Sequence, residues 1–208
     1  MSSRATKILM LCFLGVILGT GAAWYQVTEQ QFDQSVAKLE PAAGSSVAGA
    51  AIGGPFSLTD HNGRSVSEKD YAGSYKLVFF GFTYCPDICP TELKKISNVL
   101  QALGTKADSV QTLFISVDPD RDTPSVMKQY VSMFDPRIVG LTGTKDQVKA
   151  AQEAYKVYAE KFNDPALTEY TMNHSAYTFF LAPDGELIDL FTTGDTPSQM
   201  VKTMLESL

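Results

Sequence analysis

The sequence predicts a three-layer α/β domain behind a single membrane-crossing helix. Two short segments, YKLVFFGF and TLFISV, are rich in apolar residues on both faces, as central strands covered on both sides must be. Segments with helical spacing alternate with them, and the chain closes with a strand pair and a helix, which together describe helices packed on a mostly parallel sheet. Ahead of all this, no charged residue occurs between Lys7 and Glu29.

The uncharged stretch Ile8–Tyr25 is long enough, at ~1.5 Å per helical residue, to cross most of a ~30 Å hydrocarbon core. Arg4 and Lys7 precede it, whereas Glu29 and Asp33 follow, so positive-inside bias keeps the N-terminus cytoplasmic and exports the rest. Trp24 and Tyr25 suit an interfacial anchor. A cleaved signal peptide, processed near Gly21, Ala22 and Ala23, is the competing reading, and it exports the domain equally. Residues 1–28 are thus expected to be the anchor and 29–54, ending in PAAGSSVAGAAIGG, a tether without the large residues a core requires. The domain is expected over residues 55–208, long enough for one substantial core.

Within it, PFSLTDHNGRSV should be a leading hairpin turning at Asn62-Gly63, the dipeptide that supplies positive φ in a two-residue turn. Tyr75–Phe82 follows as the first central strand. A helix is expected from Pro90-Thr91, where Leu93, Ile96, Leu100 and Leu103 recur at helical intervals. Thr112–Val117 then makes the parallel partner strand. A second helix should be capped by Thr123 with Pro124 as its first residue, carrying Val126, Tyr130, Val131 and Phe134. Ile138–Leu141 reads as a strand, and Lys145–Phe162 as a third helix presenting Val148, Ala151, Tyr155 and Tyr158. Ala176–Ala182 and Glu186–Phe191 flank Pro183-Asp184-Gly185 as a hairpin, and a last helix starts near Pro197. This order of elements resembles thioredoxin.

Charge limits the partners. The formal net charge is -6, and without the first 24 residues, which hold Arg4 and Lys7 and no acid, it becomes -8. Such a body repels phosphate, so no nucleic-acid partner is expected. There is no Ser-His-Asp arrangement and no HExxH motif.

Of three cysteines, Cys12 lies in the membrane stretch as a small apolar residue. Cys85 and Cys89 occur in GFTYCPDICPTEL, after the first central strand and at the start of its helix, where amides and the positive helix end lower thiol pKa values. On a helical turn, residues i and i+4 share a face, so this CxxxC pair can chelate a metal or form a redox disulfide. A structural bridge would close too short a loop to constrain the unfolded chain much. Two thiolates suit Cu(I), and an added imidazole makes a mixed site that also holds Cu(II). Only two histidines exist: His61 beside the Asn62-Gly63 turn, read as solvated, and His174 before an apolar strand, read as the third donor on a loop facing the cysteines. The run Asp118, Asp120, Arg121, Asp122 reads as a strand-end and helix-start network, with Asp118 a possible neighbour of the site.

FTYCPDICPTEL, the SVDPDRDTP run over 116–124, GLTG over 140–143 and the segment from Tyr170 to His174-Ser175 together resemble the Sco/SenC family of membrane-tethered copper proteins. The resemblance implies a thioredoxin-like fold, copper held as Cu(I) or Cu(II) by Cys85, Cys89 and His174, and a metallochaperone rather than an enzyme. It further implies delivery to the dinuclear copper centre of cytochrome c oxidase subunit II or a similar acceptor, with an upstream copper donor and a thiol reductant. The expected location is the inner membrane, single-pass through residues 8–25, with the domain in the periplasm or an equivalent exported compartment. A thiol-disulfide reductase that keeps the acceptor cysteines reduced, or a redox or copper sensor, is the alternative. Asn173 departs from the Asp that often precedes the ligand histidine in this family, which bears on tuning of the metal rather than on ligand identity.

Overall fold

The computed structural model describes residues 52–163 and 169–208. The expected membrane segment and most of the expected tether lie outside the described residues, and among the described residues no helix is long and apolar enough to cross a membrane.

Strands β1 (Ser57–Asp60) and β2 (Ser65–Ser67) form the leading hairpin, with Leu58 opposite Val66. Its turn differs from the expected one. Gly63 has a φ of 84° while Asn62 does not enter the positive region, and the Asp60 N–H donates to the Arg64 carbonyl, so three residues span the turn rather than two. The buried Asp60 carboxylate explains the choice, since its Oδ1 accepts from the amides of Asn62 (2.8 Å) and Arg64 (2.9 Å) and holds the loop in a type I-like course.

β3 (Tyr75–Gly81) is the buried central strand, paired in parallel with β4 (Val110–Ser116), which pairs in parallel with β5 (Ile138–Thr142). β8 (Thr178–Leu181) lies antiparallel on the other side of β3, and β9 (Leu187–Phe191) beside it, while β1 joins β5 antiparallel. Among the described residues the order is therefore β2-β1-β5-β4-β3-β8-β9. Lys76 is a buried charge in β3; its Nζ reaches the carbonyls of Ser74 (2.8 Å) and Pro183 (3.3 Å), which offset part of its desolvation.

Helices α1 (Ile88–Leu103), α2 (Pro124–Val131), α3 (Lys145–Ala154) and α4 (Pro197–Ser207) complete the layers. Cys89 of α1 packs at Gly81, and Val131 and Met127 of α2 pack at Gly140, so both helices cover the Phe79, Phe114, Gly140 face. Two crossovers of one hand running in one direction require this. α4 packs on α1. On the opposite face Tyr155, just past α3, meets Phe80 at 5.3 Å and Phe179 at 5.4 Å between ring centroids. Thr123 and Thr196 cap α2 and α4 through the amides of Val126 and Gln199, with Pro at the first helical position in each, as the Thr-Pro pairs predict for α2 and suggest for α4.

Three expectations need correction here. α1 starts at Ile88, two residues before Pro90, because a proline anywhere in the first turn removes an amide that has no intrahelical partner. Phe134 lies beyond the end of α2, where Met127, Tyr130 and Val131 are the buried residues. α3 stops at Ala154, not Phe162. Val157 N–H donates to the Gln152 carbonyl and Lys156 N–H to Glu153, a Schellman closure in which Lys156 takes a φ of 56°. Glycine usually holds that position, so no punctuation marked the end. The chain continues as β6 (Ala159–Phe162), which pairs antiparallel with β7 (Thr171–His174) in a separate two-stranded ribbon.

Gly81 is where the sheet admits the sulfur. A Cβ there would stand 2.8 Å from Cys89 Sγ and 2.8 Å from a ring carbon of Phe114. Gly81→Ala is expected to cost about 1–3 kcal/mol through overpacking. Denaturant unfolding checks this, and a loss under about 0.5 kcal/mol would mean that the pocket yields freely.

Candidate metal and thiol site

The site forms where β3 ends. After Gly81 the chain turns through Phe82–Asp87 into α1, with the Cys85 N–H donating to the Phe82 carbonyl at 3.3 Å. Cys85 therefore precedes the helix instead of lying on it, which corrects the expectation of two thiols on one helical face. Its Sγ accepts the Cys89 amide, in the first turn of α1, at 3.3 Å. Cys89 is fully buried against the sheet, and Cys85 is half-buried and opens to a groove of about 370 Å³ lined also by Ile88, Tyr158, Met172 and His174.

These surroundings split the two thiols. Hydrogen bonding from the Cys89 thiol lowers the Cys85 pKa most; burial opposes it, and His174 and the amides of Cys89 and Asp87 add to the lowering, leaving it at about 4. Cys89 is pushed the other way because it is the donor to Cys85 and is buried. In the reduced, metal-free protein the outer sulfur is the nucleophile, and the inner one keeps its proton. Iodoacetamide is thus expected to modify Cys85 at a rate already level between pH 6 and 8, falling only as pH approaches 4. A tenfold rise per pH unit across pH 6–8, read by mass spectrometry of the modified peptide, would contradict the assignment.

His174 reaches this site from β7, as the last residue of a strand rather than from the expected loop. Its Nδ1 lies 2.9 Å from the Ser175 carbonyl. A carbonyl only accepts, so Nδ1 carries a proton, and Nε2 is the nitrogen turned to the thiols as the candidate ligating atom. That atom stands 3.7 Å from Cys89 Sγ. The edges of Phe82 (5.7 Å) and Phe79 (6.5 Å) fix the ring from the core side.

The donor set fits a soft or borderline ion. Metal–sulfur and metal–nitrogen bonds of ~2.3 and ~2.0 Å across a trigonal or tetrahedral angle place the two donors about 3.5–3.7 Å apart, the separation found between Cys89 and His174. Among the described residues no three His, Cys, Asp or Glu side chains already stand as a closed cage; the close contacts are pairwise, Cys89 with His174 and Cys89 with Cys85.

His61 lies elsewhere and is not the solvated residue expected. Its Nδ1 accepts the Gly140 amide at 3.0 Å while its own N–H donates to the Gly140 carbonyl, tying β1 to β5. The acidic run does form the expected network at the strand end and helix start. Buried Asp122 accepts from Ser116 Oγ and Thr83 Oγ1, each at 2.6 Å, which fastens the end of β4 to the loop before Cys85. Burial raises its pKa, with the hydroxyl donors opposing. Asp118, also buried, accepts from Arg121 Nε (2.5 Å) and the Tyr170 hydroxyl (2.8 Å). The sequence alone does not mark Gly81, Asp122, Arg121 and Tyr170 as site residues. Their motifs are visible, but their partners are distant in the chain.

The SCO1/SenC family profile matches residues 45–208. The human mitochondrial SCO1 homolog is 37% identical over 180 residues, 86% of this chain and 60% of its own length, so the chain spans less than two thirds of that relative. The copper-bound structure of ScoI from Bradyrhizobium japonicum is 45% identical with a TM-score of 0.70, over 76% of this chain and all of that one. Copper-bound yeast Sco1 is 39% identical with a TM-score of 0.69, over 75% and 87%.

Proposed function

Because the chain belongs to the SCO1/SenC family, we propose that it is a copper-binding assembly factor that holds copper as cargo on Cys85, Cys89 and His174 and passes it to a cytochrome c oxidase copper centre. The observation that carries this reading is His174: a redox dithiol needs no imidazole, yet Nδ1–H bonding to Ser175 turns Nε2 toward Cys89 at 3.7 Å. The acceptor is subunit II of the oxidase or a similar thiol-bearing copper site. An upstream donor loads the domain, and an external reductant keeps Cys85 and Cys89 as thiols.

The chain's own residues account for the transfer chemistry. Cys85 is the outer, ionised donor and faces the open groove, so an incoming acceptor thiolate meets it first. Cys89, buried at Gly81, stays behind as the inner donor. Exposed Ile88 and Tyr158 line the opening. In this reading residues 8–25 anchor the domain on the exported side of the inner membrane, 29–54 are the tether and 55–208 the working domain.

Thiol-disulfide reduction of the acceptor is the second reading, favoured by the depressed Cys85 pKa. His174→Ala separates the two. Under the delivery reading this variant keeps a reducible Cys85–Cys89 pair but fails to restore copper to the oxidase when copper is limiting, and excess copper partly rescues it by mass action. Normal assembly by His174→Ala at low copper, with both cysteine variants failing even in excess copper, would establish the reductase.

A further inference from the structure

The three donors sit on two pieces of chain that share no strand pairing. Cys85 and Cys89 follow β3 of the main sheet, whereas His174 ends β7, which pairs only with β6. A ribbon attached this way can shift against the sheet unless something other than backbone pairing holds it. Besides the packing of Phe79 and Phe82 on the His174 ring, one side chain ties the loop before Cys85 to the entry of β7. The Arg121 guanidinium lies 3.7 Å from the Tyr170 ring centroid and 4.6 Å from that of Tyr84, and its side chain is only 12% exposed. Tyr84 is the residue before Cys85, and Tyr170 leads directly into β7.

The polar contacts reinforce the same bridge. Arg121 Nη1 donates to the Tyr170 carbonyl at 2.9 Å, and Nε to Asp118 Oδ2 at 2.5 Å. The Tyr170 hydroxyl closes the ring by donating to Asp118 Oδ1 at 2.8 Å. A planar guanidinium can stack against rings and donate in its own plane at once; a lysine ammonium, a point charge on a flexible stem, cannot. Nearby, Lys161 of β6 pairs with Asp120 at 2.5 Å, in the same strand-end turn as Asp118. The turn after β4 therefore grips both strands of the ribbon.

The geometry assigns to Arg121 the role of a positioning residue: it fastens the strand that carries His174 to the loop that carries Cys85, and so sets the separation of the imidazole from the thiols. This rests on the ligand set proposed above but not on where the copper goes. Groups that orient metal ligands cost about 10–100-fold in affinity when lost, and Arg121→Lys is expected to lower Cu(I) affinity by that range.

The test is a double-mutant cycle on the reduced soluble domain, reading Cu(I) affinity by competition with a chelator. In the His174→Ala background, Arg121→Lys should change affinity less than about twofold, because the residue acts through the histidine, a non-additivity that general destabilisation does not produce. The Cu(II) form gives a second readout, since its nitrogen hyperfine signature should weaken in Arg121→Lys. Tyr170→Leu, which removes the ring platform and the hydroxyl and leaves every charge in place, should reproduce the loss; it keeps the test open should Arg121→Lys fold poorly. Equal losses with and without His174, or Arg121→Lys and Tyr170→Leu both within twofold of the parent, would overturn the clamp. Full affinity in His174→Ala would overturn the ligand set and the clamp together. Loss in His174→Ala with none in the clamp variants would overturn the clamp alone.

Discussion

Copper affinity is expected to fall by at least about 100-fold when either Cys85 or Cys89 is replaced by serine. Zinc sites with four protein ligands bind with ~10–16 kcal/mol, roughly 3 kcal/mol per donor, and a soft ion loses more when thiolate becomes hydroxyl. The two variants should differ in kind. Cys85→Ser removes the outer ionised donor, so the remaining inner thiol keeps a normal or raised pKa, and alkylation at pH 6 disappears. Cys89→Ser leaves Cys85 in place with a hydroxyl donor still beside it, so the hydrogen bond that lowers its pKa most is tested by Cys89→Ala, in which alkylation regains a steeper rise with pH. His61→Ala is the control: it removes an acceptor for the Gly140 amide, which costs stability, and leaves copper affinity unchanged. Loss of copper in His61→Ala with retention in His174→Ala would reverse the ligand assignment.

The second large effect is oxidation. Cys85 and Cys89 are free thiols in contact through the Cys89 amide, and the ionised outer sulfur is the one that attacks a disulfide or peroxide oxidant. The pair, a thiolate and a thiol, gives up two electrons and one proton to that oxidant and becomes a disulfide. Neither thiolate then remains, and His174 alone cannot retain copper against a chelator. Fully oxidised domain is therefore expected to bind no copper at stoichiometric concentration, and a dithiol reductant should restore one copper per domain. This couples loading to a reductant wherever thiols otherwise oxidise. Stoichiometric copper on protein shown by mass to carry the Cys85–Cys89 disulfide would disprove the coupling.

How far the sequence could be read depended on whether a signal was local. β3 and β4 announce themselves through apolar residues on both faces, and the Thr123-Pro124 pair marks the start of α2 because a cap and a first-turn proline act within three residues. The CxxxC pair and the late histidine stand out in the sequence as candidate donors through their chemistry, and the structure brings them together at the end of β3. The end of α3 does not stand out, because Tyr155 and Tyr158 continue the helical spacing while Lys156 takes the left-handed position that glycine usually announces. Without a local mark at that ending, the helical spacing runs on through β6, β7 has no visible partner, and His174 reads as a loop residue. Arg121 shows the other limit. The run DPDRDTP reads as a polar turn, and the Tyr170 carbonyl that Arg121 bonds lies 49 residues away. That His61 accepts the Gly140 amide, 79 residues away, is likewise set by the pairing of β1 with β5.

The most direct test of the delivery account loads the reduced soluble domain with copper and mixes it with the soluble copper-binding domain of oxidase subunit II in its apo form. Metal and thiols are followed separately, copper by elemental analysis of the separated proteins and thiols by mass-resolved alkylation. With the acceptor cysteines already reduced, copper is predicted to leave Cys85, Cys89 and His174 for the acceptor with no net change in the thiol count of either protein. Copper remaining on the domain, while an oxidised acceptor gains two thiols as Cys85 and Cys89 lose theirs, would contradict delivery and make this protein a reductase.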